Sequence, residues 1–76
     1  MTMLDFVTEA AGRVNRGDVG GVDWVWHHVM SERDRVAFDL WLVRMGDSLS
    51  FEAGSPRSRF QRCVTRLVEG GKRHAG

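Results

Sequence analysis

The stretch SERDRVAFDLWLVRM, residues 31–45, decides the fold. Ser31 followed three residues later by Asp34 is typical of a helix N-cap, where side chain and backbone exchange hydrogen bonds. Eight of the last ten residues in this stretch are apolar. Because a helix without a broad polar face is normally buried, we predict a central helix over residues 32–45. The alternative is a buried strand that pairs as a short hairpin within residues 36–51.

Two other segments repeat the helical spacing of apolar residues at i, i+3, i+4, i+7 and i+8. One begins at Val22 and the other at Phe60, and they predict helices over residues 22–30 and 56–69. The second segment follows a Ser-Pro pair, which suits a helix start. Gly70-Gly71 comes after it and predicts its C-cap.

The N-terminal segment predicts one more helix, over residues 3–15. Thr2, with an acid three residues later, supplies its cap. The predicted fold is therefore all-α, a small single-domain bundle of about four short helices in residues 1–70. A basic flexible tail follows in residues 71–76, and a short extended piece is an additional expectation near residues 47–52.

Composition narrows the class of protein. The chain has 76 residues, of which 42% are hydrophobic and 28% charged, as in ordinary globular domains. No apolar run approaches the roughly 18–20 residues of a membrane span, and the single cysteine excludes an internal disulfide. Ten arginines against one lysine fit a GC-rich genome, that of a bacterium or its phage. We expect a cytoplasmic location, in the bacterial host if a phage encodes the chain.

No motif in the chain points to an enzyme, a cofactor or a metal. His27 and His28 are adjacent, so on a helix they point about 100° apart and do not share a metal as an i, i+4 pair does. The glycines of residues 17–21 lack the lysine of a phosphate-binding loop, and no Gly-x-Ser-x-Gly elbow occurs. Cys63 falls on an apolar helical stripe and is interpreted as a core residue.

Charge is distributed unevenly along the chain. Residues 1–56 carry five arginines and nine acids, a net charge of −4. Residues 57–76 carry six basic residues and one acid, a net charge of +5. An acidic partner is attracted to such a basic segment, although the two charges can also neutralise each other within the fold.

The candidate partner-binding residues follow from this asymmetry. Arg59, Arg62 and Arg66 lie at i, i+3 and i+7, so they form one strip on the last helix, and Arg73 extends it. The alternative interpretation is that these cations only complement the helix dipole. Trp24 lies off the apolar stripe of its helix, which makes it a candidate exposed contact. The alternative is that it closes the core under the loop of residues 46–54.

We predict a small non-enzymatic protein-binding adaptor or inhibitor that contacts an acidic protein surface through this basic strip. Phages and mobile elements encode compact proteins of this kind, including anti-host and anti-CRISPR proteins. The alternative function is a DNA- or RNA-binding regulator that uses the same helix. A homodimer is also expected, because short neighbouring helices leave one flank of the central helix uncovered.

Overall fold

The protein is all-α. The computed structural model describes the backbone of residues 2–75 and the side chains of residues 2–71, and no strand occurs in that part. The helices are α1 (Met3–Asn15), α2 (Gly21–Trp24), α3 (Glu32–Arg44) and α4 (Pro56–Ala75). A π-turn (Val25–Val29) continues α2, and a 3₁₀-helix (Ser48–Phe51) precedes α4. No helix in the described part is long and apolar enough to cross a membrane.

Capping boxes set the starts of α1 and α3, as predicted. The Thr2 backbone N–H donates to the Asp5 carboxylate at 2.7 Å, and the Asp5 N–H donates back to the Thr2 hydroxyl at 3.3 Å. Ser31 and Asp34 repeat the exchange at 2.9 and 3.2 Å. These hydrogen bonds favour the ionised acids and lower the pKa of both Asp5 and Asp34.

The second predicted helix is present but contains the π-turn. The Met30 N–H donates to the Val25 carbonyl at 2.9 Å, a bond to the fifth preceding residue instead of the fourth. Arg35 on α3 reaches back to this turn. Its Nη1 donates to the Trp26 carbonyl at 2.9 Å and to the Met30 carbonyl at 2.7 Å.

An aromatic cluster joins the helices at the centre of the core. The ring centroids of Trp26 and Phe60 lie 5.2 Å apart, and Phe38 lies 6.1 Å from the first and 5.4 Å from the second. Such tilted and edge-on contacts add to the energy of apolar burial. The other large side chains that are almost completely buried are Leu42, Val7, Val25 and Val64.

α3 begins at the predicted residue, ends at Arg44, one residue earlier than predicted, and is not buried on all sides. Phe38 and Leu42 are completely buried, whereas Val36, Leu40 and Val43 are exposed. The prediction that this helix is the buried centre of the domain is therefore wrong, because only one face of α3 is buried. The chain is too short for its other helices to surround α3, and the uncovered flank that we expected is present.

The segment between α3 and α4 is folded by local hydrogen bonds. Gly46 has a positive φ of 66°, which lets the Asp47 N–H return to the Leu42 carbonyl at 3.0 Å and closes α3. The Asp47 carboxylate then accepts the Leu49 N–H at 2.9 Å. These bonds favour a 3₁₀-helix, so the extended piece expected near residues 47–52 and the alternative hairpin are both wrong.

α4 begins as predicted and ends later than predicted. Ser55 caps it by accepting the Ser58 N–H at 3.2 Å, and Pro56 is its first residue. Gly70 and Gly71 do not adopt positive φ, so they form no left-handed cap and the helix continues to Ala75. The predicted C-cap at these glycines is wrong.

Candidate functional site

The structure places three of the predicted arginines, Arg59, Arg62 and Arg66, on one face of α4, and Arg59 makes the most contacts of the three. Its Nε and Nη2 donate to the two carboxylate oxygens of Asp39 at 2.9 and 2.8 Å. Its Nη1 donates to the carbonyls of Glu52 and Gly54 at 3.2 and 2.7 Å. The bidentate contact raises the pKa of Arg59 and leaves its side chain only 13% exposed.

The next two arginines are also paired. Arg62 contacts the Glu52 carboxylate at 2.7 Å, and Arg66 contacts the Asp47 carboxylate at 2.6 Å. The hydrogen bond between Arg66 and Asp47 raises the pKa of the arginine and lowers the pKa of the acid. About half of each of these two arginine side chains remains exposed.

These three ion pairs define a clamp, which consists of Arg59, Arg62 and Arg66 with their acidic partners on α3 and the segment before α4. Each arginine comes from the basic part of the chain and each acid from the acidic part. Much of the opposite charge predicted from sequence is therefore neutralised within the domain. Sequence spacing placed the arginines on one face, but it did not reveal their carboxylate partners.

Arg73, the fourth predicted arginine, belongs to α4 by its backbone. Its side chain lies outside the described residues. The prediction that it extends the strip stays a prediction.

Trp24 is exposed, as the spacing suggested, with 48% of its surface accessible. Its ring lies 4.4 Å from the His28 ring, centroid to centroid, at an interplanar angle of 36°. The Arg13 guanidinium carbon lies 5.9 Å from the Trp24 ring centroid, within the range of a cation–π contact. In the described part of the chain, the ring is therefore held by α1 and the π-turn and not by the clamp arginines.

The uncovered flank of α3, where the sequence predicts a homodimer contact, carries a second exposed surface whose residues were not named as candidate contacts. Val36, Leu40 and Val43 are 74%, 51% and 60% exposed, and their i, i+4, i+7 spacing aligns them along α3. We call these three residues the α3 stripe. The sequence feature that could have revealed this surface is the nearly continuous apolar run of α3, because it contains more apolar residues than one buried helix face requires.

The surroundings of the α3 stripe are charged. Glu32, Arg33 and Arg44 are exposed on the same helix. None of the three forms an ion pair among residues 2–71. An apolar strip with a polar rim is the usual composition of a protein-binding surface.

Within the described residues, no group of three or more His, Cys, Asp or Glu side chains could hold a metal ion. Cys63 is buried in the core, and burial raises the pKa of its thiol, with Arg66 opposing the change. A raised pKa keeps the thiol protonated and therefore weakly nucleophilic.

No protein-family model, curated protein sequence or solved structure matches this chain. The fold and these surfaces define a small all-α domain with an apolar stripe on one helix and an internally paired basic strip on another.

Proposed function

We propose that this protein is a small non-enzymatic protein-binding domain, of the adaptor or inhibitor class, that binds through the α3 stripe. The observation that carries the proposal is the exposure of three large aliphatic side chains in line on one helix. Helical ligands and their receptors often contact each other through residues at this spacing.

Burial of the α3 stripe supplies part of the energy of a specific contact, and the charged rim around it must supply the rest. Complete burial of a Val or Leu side chain is worth about 1.5–3 kcal/mol. Scaled by the exposed fractions of Val36, Leu40 and Val43, the remaining burial is worth about 3–5.5 kcal/mol. Leu40 lies in the middle of the stripe and is the expected principal contact, since the residues that contribute most of the binding energy cluster near the centre of an interface.

The clamp arginines are a less favourable binding surface. An acidic protein would have to displace carboxylates that already lie 2.6 to 2.8 Å from the guanidinium groups. A nucleic acid would face the same cost before releasing counterions. This internal pairing supports the protein-binding function over the nucleic-acid alternative, and it supports α3 over α4 as the interface.

A selection from a displayed library of random helical peptides would test the proposal. We expect ligands whose affinity falls at least about tenfold with Leu40→Glu, the equivalent of 1.4 kcal/mol. Leu4→Glu is the matched control, because Leu4 is 56% exposed on α1 and lies outside the α3 stripe. Circular dichroism should show that both variants remain folded. Equal losses in the two variants would contradict a specific role for α3.

The basic strip can be tested against the same ligands. Arg62→Ala with Arg66→Ala should leave ligand affinity within about threefold of wild type, because these arginines serve the clamp. A loss of tenfold or more in this variant, with Leu40→Glu unaffected, would place the interface on α4. Binding that falls steeply with salt for any nucleic-acid sequence would support the alternative function.

A further inference from the structure

We infer that the partner of the α3 stripe is a second copy of this chain, and that the two α3 helices pack in parallel about a two-fold axis. The inference rests on the proposed function, because it uses the same surface. It specifies the partner and the orientation.

The spacing of the α3 stripe suits helix pairing. Residues at i, i+4 and i+7 occupy the d, a and d positions of a heptad repeat, which form the seam between two paired helices. Val36, Leu40 and Val43 fill these positions without a polar interruption. In a symmetric dimer the same patch serves both copies, so the seam is apolar on both sides.

The charges beside the stripe select the parallel orientation. At about 100° per residue, Arg33 and Arg44 fall on one side of the stripe, and Glu32 and Asp39 fall on the other. A two-fold axis parallel to α3 sets the basic side of each helix against the acidic side of the other. An antiparallel pair instead brings Arg33 of one copy towards Arg44 of the other, and like charges repel.

Asp39 is available for this role although it already contacts Arg59. Its side chain remains 39% exposed, and a carboxylate can accept several hydrogen bonds. In a parallel pair it faces Arg44 of the other copy, five residues further along, the usual g-to-e contact of paired helices. The contact would continue the clamp across the interface.

The pair should be weak because the seam covers only two helical turns. Stable interfaces bury about 1,200–2,000 Å² in total, more than three side chains on each copy supply. A dissociation constant on the order of 100 µM is therefore expected, near the weak end of specific association.

Sedimentation equilibrium over a range up to about 500 µM would detect such a dimer. Wild type and Leu4→Glu should give the same dissociation constant, and Leu40→Glu should weaken it at least about tenfold. Arg44→Glu should weaken it by about two- to fivefold, and less at high salt. A wild type that stays monomeric throughout this range would overturn the inference.

Single cysteines would establish the orientation. In a parallel pair each stripe residue faces the same residue of the second copy. Val36→Cys and Val43→Cys should therefore each form a disulfide-linked dimer on mild oxidation. Wild type, whose Cys63 is buried, should form none. Cross-linking only in a mixture of the two variants would indicate an antiparallel pair and contradict the orientation.

The two proposals fail in distinguishable ways. A monomeric wild type that still binds selected peptides through Leu40 would overturn the second copy as partner and retain the protein-binding function. A monomer that yields no ligand dependent on Leu40 would overturn both.

Discussion

Replacing Arg35 with Met should destabilise the domain by about 2 kcal/mol. Arg35 donates to the carbonyls of Trp26 and Met30, which lie on and just after the π-turn. Methionine keeps a similar apolar stem and removes both donors, so the change isolates the hydrogen bonds from side-chain packing.

The magnitude follows from the two hydrogen bonds. A hydrogen bond to a charged donor contributes about 1.5–3 kcal/mol net, and these two share one partly buried nitrogen. Because they share that nitrogen, we count the two hydrogen bonds as about one and a half. At the lower value for each bond, their loss costs about 2 kcal/mol. For a domain of this size that loss lowers Tm by about 8–16 °C.

Urea unfolding followed by circular dichroism would measure the change. The midpoint should fall with the slope unchanged, since the native fold and its buried surface are kept. Arg33→Met is the matched control, because Arg33 is exposed on the same helix and makes no hydrogen bond among residues 2–71. It should remain within about 0.5 kcal/mol of wild type. An Arg35→Met variant as stable as this control would refute the reasoning, since the carbonyls would then need no donor from α3.

Three further experiments test other parts of the fold. Gly21→Ala places a methyl carbon 2.6 Å from a side-chain carbon of α1 and should lower the free energy of unfolding by about 1–3 kcal/mol. In Gly70→Ala the new methyl group meets nothing within 4 Å, and the free energy of unfolding should rise by up to about 1 kcal/mol. Urea unfolding would measure both changes. Arg66 lowers the pKa of Asp47, so this pair stabilises the fold fully above about pH 5 and loses its contribution as pH falls through the lowered pKa. Asp47→Asn should therefore flatten the acid limb of a plot of stability against pH, and an unchanged limb would contradict the pairing. Cys63 should react with a thiol reagent slowly when native and rapidly in urea, and fast native labelling would show that it is not buried.

Sequence predicted the helices best where local hydrogen bonds set their ends. Ser31 and Asp34 exchange hydrogen bonds across three residues, so their effect on α3 does not depend on the rest of the chain. The π-turn is different, because it is completed by Arg35, which follows it in another helix. Gly70 was misinterpreted because glycine favours a helix end only where the backbone takes positive φ.

The surfaces were predicted only in part, for a similar reason. Spacing along α4 placed Arg59, Arg62 and Arg66 on one face, but their carboxylates lie 10 to 20 residues away in sequence. Such pairs depend on how α3 and the following segment pack. The exposure of the α3 stripe also depends on packing, because it is decided by how few helices surround α3.

The clamp has a consequence for the speed of association. Arg57 pairs with Asp23, so four of the six cations in residues 57–76 lie beside acids from the rest of the chain. Paired charges a few ångströms apart produce a field that decays quickly, and salt shortens its range further. A diffusing partner therefore feels little orienting force until it is almost in contact. Encounter should proceed at the rate typical of unsteered proteins, about 10⁵–10⁶ M⁻¹s⁻¹, and should change little with ionic strength.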